Sequence, residues 1–317
     1  MTPAFDHPVP SGGYAWWYMD ALSDDGCHGI TVIAFVGSVF SPYYALARRR
    51  SGSAADPLNH CALNVALYRR AGAAAATGWA MTERSREAVQ RSPMRLQIGP
   101  SALQWQRDSL HVTIDETMVP WPRRLVGTLR LQAPAMLSQR YALDSAGQHH
   151  WCPIAPCAQV EVELQQPRMR WRGSGYLDAN FGQRSLEQDF RSWDWSRSTL
   201  DGQRSAVLYD VVRRDGSENS LALAFDPVTG ARAFEPPARQ HLPASGWRVA
   251  RATRADHGSQ PQLVQTLEDG PFYVRSVLRT QVDGVSAHAV HESLSLQRFS
   301  AGWVQLMLPF RMPRRPY

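Results

Sequence analysis

Two short spacings hold the residues best suited to chemistry: His149-x-Trp151 and Tyr176-x-Asp178. Alternate residues of an extended segment project from the same side, so each pair presents its two side chains together while His150 points away. Asp178 lies within Gly173–Gly182, a glycine-rich stretch that reads as a bend where backbone approaches closely. A carboxyl facing inward there is driven toward its neutral, proton-donating form by loss of solvent. Beside a phenol and an indole, such a group is a general acid flanked by rings whose faces attract a cation. His149 is placed to orient that acid or a water. Each residue also has a plainer use: an aspartate among glycines commonly serves a turn, and a single histidine is commonly just hydrogen-bonded in place.

The elements that must position these residues read as strands. Ile30–Val36, Ala62–Tyr68, Leu110–Ile114, Leu125–Leu131, Ala206–Val212, Leu221–Phe225 and Phe272–Val282 are short β-branched or apolar runs, and Ala158–Leu164 alternates with Val160, Val162 and Leu164 on one side. Asp-Gly pairs at 25–26, 201–202, 215–216, 269–270 and 283–284 tolerate the backbone of tight hairpins and punctuate these runs. Displacing the sequence by 176 positions sets Trp17 on Trp193, Asp25-Gly26 on Asp201-Gly202 and Val36 on Val212. The expectation is an all-β chain of two related barrel or sandwich domains, residues 1–180 and 181–317. Trp16, Trp17, Trp193 and Trp195 either plug these bodies or line an apolar, substrate-binding tunnel. Met81–Gln90 reads as a short helix, Arg48–Asp56 and Ala71–Gly78 as loops, and Pro309–Tyr317 as a frayed tail. His288 and Glu292 read as a surface hydrogen-bonded pair with His291 turned away.

All 34 basic residues are arginine, and the net charge is +6. The basic runs are short and match no nucleic-acid motif, so nucleic acid is not an expected partner; the same charge would favour an anionic membrane surface. Cys27, Cys61, Cys152 and Cys157 are too scattered for a disulfide scaffold, and the spacing of Cys152 and Cys157 fits no structural zinc site, so no metal is expected. A nucleophile elbow, a phosphate loop and a dinucleotide fingerprint are all missing, which disfavours acyl-enzyme and nucleotide chemistry. The opening residues lack a secretory pattern, and the apolar run Ile30–Phe40 is far short of the roughly 20 residues a membrane span needs. A cytoplasmic chain, free or peripheral on the membrane face, is expected.

Tyr14–Asp20, Trp79–Arg84, His149-His150-Trp151, Tyr176-Leu177-Asp178 and Trp193–Ser196, in this order, resemble the acyclic carotenoid 1,2-hydratases, also called hydroxyneurosporene synthases. The resemblance runs from about Phe5 to Phe310. It implies two lipocalin-like β domains, no cofactor, and addition of water to the terminal C1–C2 double bond of an acyclic carotenoid such as neurosporene or lycopene. It also implies that His149, Trp151, Tyr176 and Asp178 form the functional set, with Asp178 the proton donor. A non-catalytic carrier of an apolar ligand, or another cofactor-free reaction such as a cyclisation, would suit the same fold.

Overall fold

The computed structural model describes residues 4–51, 55–70, 77–200 and 203–315. Two compact units divide the chain: residues 1–185 together with 306–317, and residues 186–305. Strand pairing is antiparallel throughout the ladders that matter here, and the few helices are short. The expected helix at Met81–Gln90 is instead the end of one strand, a 3-10 turn at Arg86–Ala88 and the start of another strand, each strand held by pairing with a neighbour that local periodicity does not encode.

In the first unit the strands are β1 (Tyr14–Ser23), β2 (His28–Val36), β3 (Cys61–Arg69), β4 (Gly78–Arg84), β5 (Val89–Ser92), β6 (Arg95–Ile98), β7 (Ser101–Gln106), β8 (Ser109–Thr117), β9 (Arg124–Gln132), β10 (Tyr141–Ala142), β11 (His149–Gln166) and β12 (Arg168–Gly182). Helix α1 (Pro42–Ser51) follows β2 and occupies part of the stretch expected as a loop; residues 52–54 and 71–76 lie outside the described residues. The sheet runs β4-β3-β2-β1-β12-β11-β9-β8-β7-β6-β5. Both halves of it contribute to one apolar cluster: Ala15, Trp17, Val32 and Val65 from one side meet Leu96, Trp105, Val112 and Leu129 from the other. A sheet whose distant strands share a core has curled upon itself, the usual way of removing open edges.

Gly173–Gly182 is not a bend. It is continuous strand within β12, paired to β1 on one side and to β11 on the other. Its glycines serve close approach. A Cβ on Gly173 would lie 1.9 Å from the Leu22 carbonyl oxygen, and one on Gly182 would lie 2.1 Å from the ring of Tyr14.

The second unit contains α2 (Leu186–Asp189), β13 (Phe190–Thr199), β14 (Ser205–Arg213), β15 (Glu218–Asp226), β16 (Gly230–Ala233), β17 (Arg239–Leu242), β18 (Arg251–Arg254), β19 (Gln262–Asp269), β20 (Tyr273–Val282), β21 (Val285–Ser295) and α3 (Leu296–Phe299). Its main sheet runs β16-β15-β14-β13-β21-β20-β19. The first strand of each unit lies between the next strand and the unit's last long strand: β1 between β2 and β12, β13 between β14 and β21. The sequence repeat is therefore a repeat of pairing order, with a one-residue slip in register, since Trp17 faces Ala34 whereas Trp193 faces Val211. Asp283 and Gly284 both have positive φ, as a two-residue hairpin turn requires; Asp201-Gly202 lies outside the described residues.

Two C-terminal expectations are corrected. The segment read as a frayed tail forms the end of α4 (Gly302–Arg311) and β22 (Arg314–Arg315), which adds parallel to β4. Arg314 binds Glu83, and its Nη2 donates to the Asn59 carbonyl at 2.9 Å. His288 is exposed as expected, but Glu292 does not form a surface pair with it: Glu292 is buried and pairs with Arg275, while His291, turned to the other face and buried, bonds the Ala252 carbonyl oxygen at 2.8 Å.

Candidate functional site

The three central strands of the first unit bring the two spacings together by register. Opposite Asn180 of β12 stand Trp16 of β1 and Trp151 of β11; opposite Asp178 stand Tyr18 and Pro153; opposite Tyr176 stands Asp20. Alternation then sorts the side chains. Ala15, Trp17, Met19, Leu177 and Ala179 turn into the apolar cluster, while Tyr14, Trp16, Tyr18, Asp20, Tyr176, Asp178, Asn180, His149 and Trp151 share the other face.

Asp178 is 3 % exposed. Its Oδ2 accepts from Trp151 Nε1 at 2.7 Å and from the Tyr176 hydroxyl at 2.8 Å, and its Oδ1 accepts from Asn180 Nδ2 at 3.3 Å. The edge of one phenol meets the face of another where Tyr18 and Tyr176 pack with centroids 6.1 Å apart. Burial, followed by the charge of Asp178, pushes the Tyr176 phenol well above its ordinary pKa, so it remains a donor. Burial also pushes the Cys152 thiol up to about 11.

His149 is fully buried, and its Nδ1 shares a 2.8 Å hydrogen bond with the Tyr14 hydroxyl. Its backbone N–H is fixed by Asp144 Oδ2 at 2.7 Å, in the turn that launches β11. His149 stands opposite Gly182, four residues along β12 from Asp178, or about 13 Å at strand rise. The carboxyl is held by Trp151, Tyr176 and Asn180; His149 pairs with Tyr14. The Tyr14 ring reaches that histidine by lying across Gly182, and it stacks on Trp16 at 4.9 Å.

Of the two first-unit indoles expected to line a substrate channel, Trp16 shares the face of Asp178 and Trp17 does not. Trp17 packs edge-on against Phe5 at 5.1 Å within the apolar cluster, because adjacent strand residues cannot share a face. Trp193 and Trp195 lie on one side of β13 in the second unit. Trp193 packs against Tyr209 at 6.4 Å and lines a cavity there. Sequence reasoning missed Tyr14, Tyr18, Asp20 and Asn180. The signal was present: Tyr14-x-Trp16-x-Tyr18-x-Asp20 alternates with small and apolar residues, and Asn180 continues the Tyr176-x-Asp178 spacing. Among the described residues no group of three or more His, Cys, Asp or Glu side chains is arranged to hold a metal.

Residues 32–317 match the family model described as Carotenoid hydratase CrtC. The chain belongs to this family. It is 51 % identical over 313 residues to the acyclic carotenoid 1,2-hydratase of Thiocapsa roseopersicina, covering 98 % of this chain and 76 % of that protein. With the acyclic carotenoid 1,2-hydratase of Rubrivivax gelatinosus it shares 50 % identity over 314 residues, 99 % of this chain and 76 % of that one. A crystal structure of CghA with Sch210972 superposes with a TM-score of 0.52 at 12 % identity, covering 92 % of this chain and 94 % of the other, which establishes a shared fold. For a member of this family, the buried acid among aromatic rings is the arrangement to explain.

Proposed function

We propose that this chain hydrates the terminal C1–C2 double bond of an acyclic carotenoid such as neurosporene or lycopene, with Asp178 as proton donor. The observation that carries the reading is the buried Asp178 carboxyl, gripped on one oxygen by Trp151 and Tyr176. Those two donors occupy Oδ2 and leave Oδ1 to bear the proton. Among the described residues the carbonyl oxygen of Asn180 has no hydrogen-bond donor. Half a turn of that amide sets its oxygen toward Asp178 Oδ1, where it accepts from the neutral acid; the orientation with Nδ2 inward suits the carboxylate. Asn180 can thus serve both protonation states.

A trisubstituted alkene is a very weak base, so its protonation needs a strong or desolvated acid and a stabilised cation. Asp178 Oδ1 gives its proton to C2, the π electrons form the new C–H bond, and a tertiary cation remains at C1. The rings of Trp151, Tyr176, Tyr18 and Trp16 offer π faces to that charge. Water adds at C1, and the proton it sheds returns to Asp178. The sum is alkene plus water giving a tertiary alcohol, with no electrons transferred.

Turnover of lycopene in deuterated water tests this. Deuterium at C2 of a hydroxylated product is expected from the wild type, and Asp178→Asn should lower kcat at least about 100-fold while preserving the circular dichroism spectrum. Unchanged lycopene bound by the wild type would show a carrier, and near-normal turnover by D178N would remove the acid from Asp178. We place the enzyme peripherally on an anionic membrane, where such a substrate dissolves. The net charge of +6 supports this, and no helix of the described residues is long and apolar enough to cross a bilayer.

A further inference from the structure

Helix α4 has its apolar stripe on the wrong side for a protein in water. Trp303, Leu306, Met307 and Phe310 follow the i, i+3, i+4, i+7 spacing of one helical face. That face is outward, with exposures of 46, 76, 42 and 81 %, whereas Val304 is the residue the helix buries. The helix carries no acidic residue and closes on Arg311. Trp247, 41 % exposed, stacks on Trp303 with ring centroids 6.1 Å apart and widens the patch.

Beside this patch the second unit opens a cavity of about 310 Å³ lined by Arg191, Arg239, Arg248, Arg251 and Arg298 against a single acid, Asp194. That acid is already engaged: it accepts from Arg239 at 2.7 Å, from the Ala252 N–H at 3.2 Å and from the Ser293 hydroxyl at 2.5 Å. Arg251 is 3 % exposed, and its hydrogen bonds go to the carbonyls of Pro243 and Ala244 and the hydroxyls of Thr266 and Ser276, all neutral. Arg298 joins cavity to patch, its guanidinium carbon lying 5.9 Å from the centre of the Trp303 ring.

We propose that α4 and Trp247, with the adjoining arginine cavity, form the surface on which this protein docks to a lipid bilayer, the stripe entering the acyl boundary and the cavity receiving the phosphate of an anionic lipid. The occupant follows from the chemistry of the surface. Indoles and long apolar side chains on a short helix bordered by arginine suit the headgroup boundary, and a cavity with four more guanidiniums than carboxylates calls for an anion. The proposal rests on the carotenoid reading only for the reason to visit a bilayer.

Co-sedimentation with vesicles of phosphatidylcholine alone, or mixed with phosphatidylglycerol, tests it, alongside turnover of detergent-dispersed lycopene. Wild type should bind the mixed vesicles more tightly than the neutral ones and be released by salt. The L306Q/F310Q variant should lose at least about tenfold in partitioning, and R191Q/R248Q should lose the preference for phosphatidylglycerol. Both variants should turn over detergent-dispersed lycopene like the wild type. Variants that sediment like wild type would overturn the assignment of α4 and leave the carotenoid reading intact. A wild type that binds neither vesicle would overturn docking altogether. Loss of a dimer in L306Q/F310Q, with vesicle binding kept, would show that a second copy covers this face and would also overturn it. Failure of lycopene turnover by the wild type in detergent would bear instead on the carotenoid reading.

Discussion

A single oxygen, Asp178 Oδ2, receives two hydrogen bonds from rings that are themselves buried, at 2.7 and 2.8 Å. This holds the carboxyl plane and, in the proposed reaction, leaves Oδ1 as the oxygen that delivers the proton. Removing one donor should weaken catalysis without unfolding the strand, because the Tyr176 ring still packs against Tyr18. Tyr176→Phe is expected to lower kcat/KM about 10- to 100-fold, the value of a hydrogen bond to a group that becomes charged. Steady-state turnover together with a melting curve checks this, and unchanged kcat/KM would show that Trp151 alone positions the acid.

Among the elements, the short strand β22 has the most to reveal. It closes the free side of β4 and brings Arg314 to Glu83, which is fully buried and also meets His60 Nδ1 at 2.9 Å. Taking away the cation strands a buried carboxylate, the costly way to break such a pair. Arg314→Ala should therefore destabilise the first unit by about 3 kcal/mol, the low end of that range because the arginine is partly exposed. Adding Glu83→Gln should recover part of the loss. Urea unfolding of both variants measures the difference, and a loss within error of zero would mean that β22 does not hold the sheet edge.

For the whole molecule, the second unit should set the acid limit of stability. His291 is fully buried, donates no charge-compensating bond beyond the Ala252 carbonyl, and has its pKa lowered from 6.5, with burial as the leading cause. The unfolded chain therefore takes up a proton near pH 6.5 that the folded chain refuses. Stability is fully present above that pH and is lost as pH falls toward the lowered folded value. The urea midpoint is expected to drop between pH 7.5 and 5.5, and His291→Gln should flatten that slope. An equal slope in the variant would assign the acid sensitivity elsewhere.

The one-dimensional pattern determined what strand parity and turn chemistry determine. The all-β class, most strands, the hairpins at Asp25-Gly26, Asp215-Gly216 and Asp283-Gly284, and the pairing of Tyr176 with Asp178 and of His149 with Trp151 all follow from period-two alternation and from residues that accept positive φ. Trp17 was separable from Trp16 by the same parity. Other features depended on register and return of the chain, which no local spacing encodes. Tertiary pairing made Gly173–Gly182 a strand instead of a bend, since its glycines answer to Leu22 and Tyr14 on a strand some 150 residues earlier. It brought Tyr14 to His149 and so parted that histidine from Asp178, and it carried Arg314 back to Glu83. It also turned the apolar stripe of α4 outward, a choice made by packing against Val304 and invisible to a pattern that reads the same whichever way the helix faces.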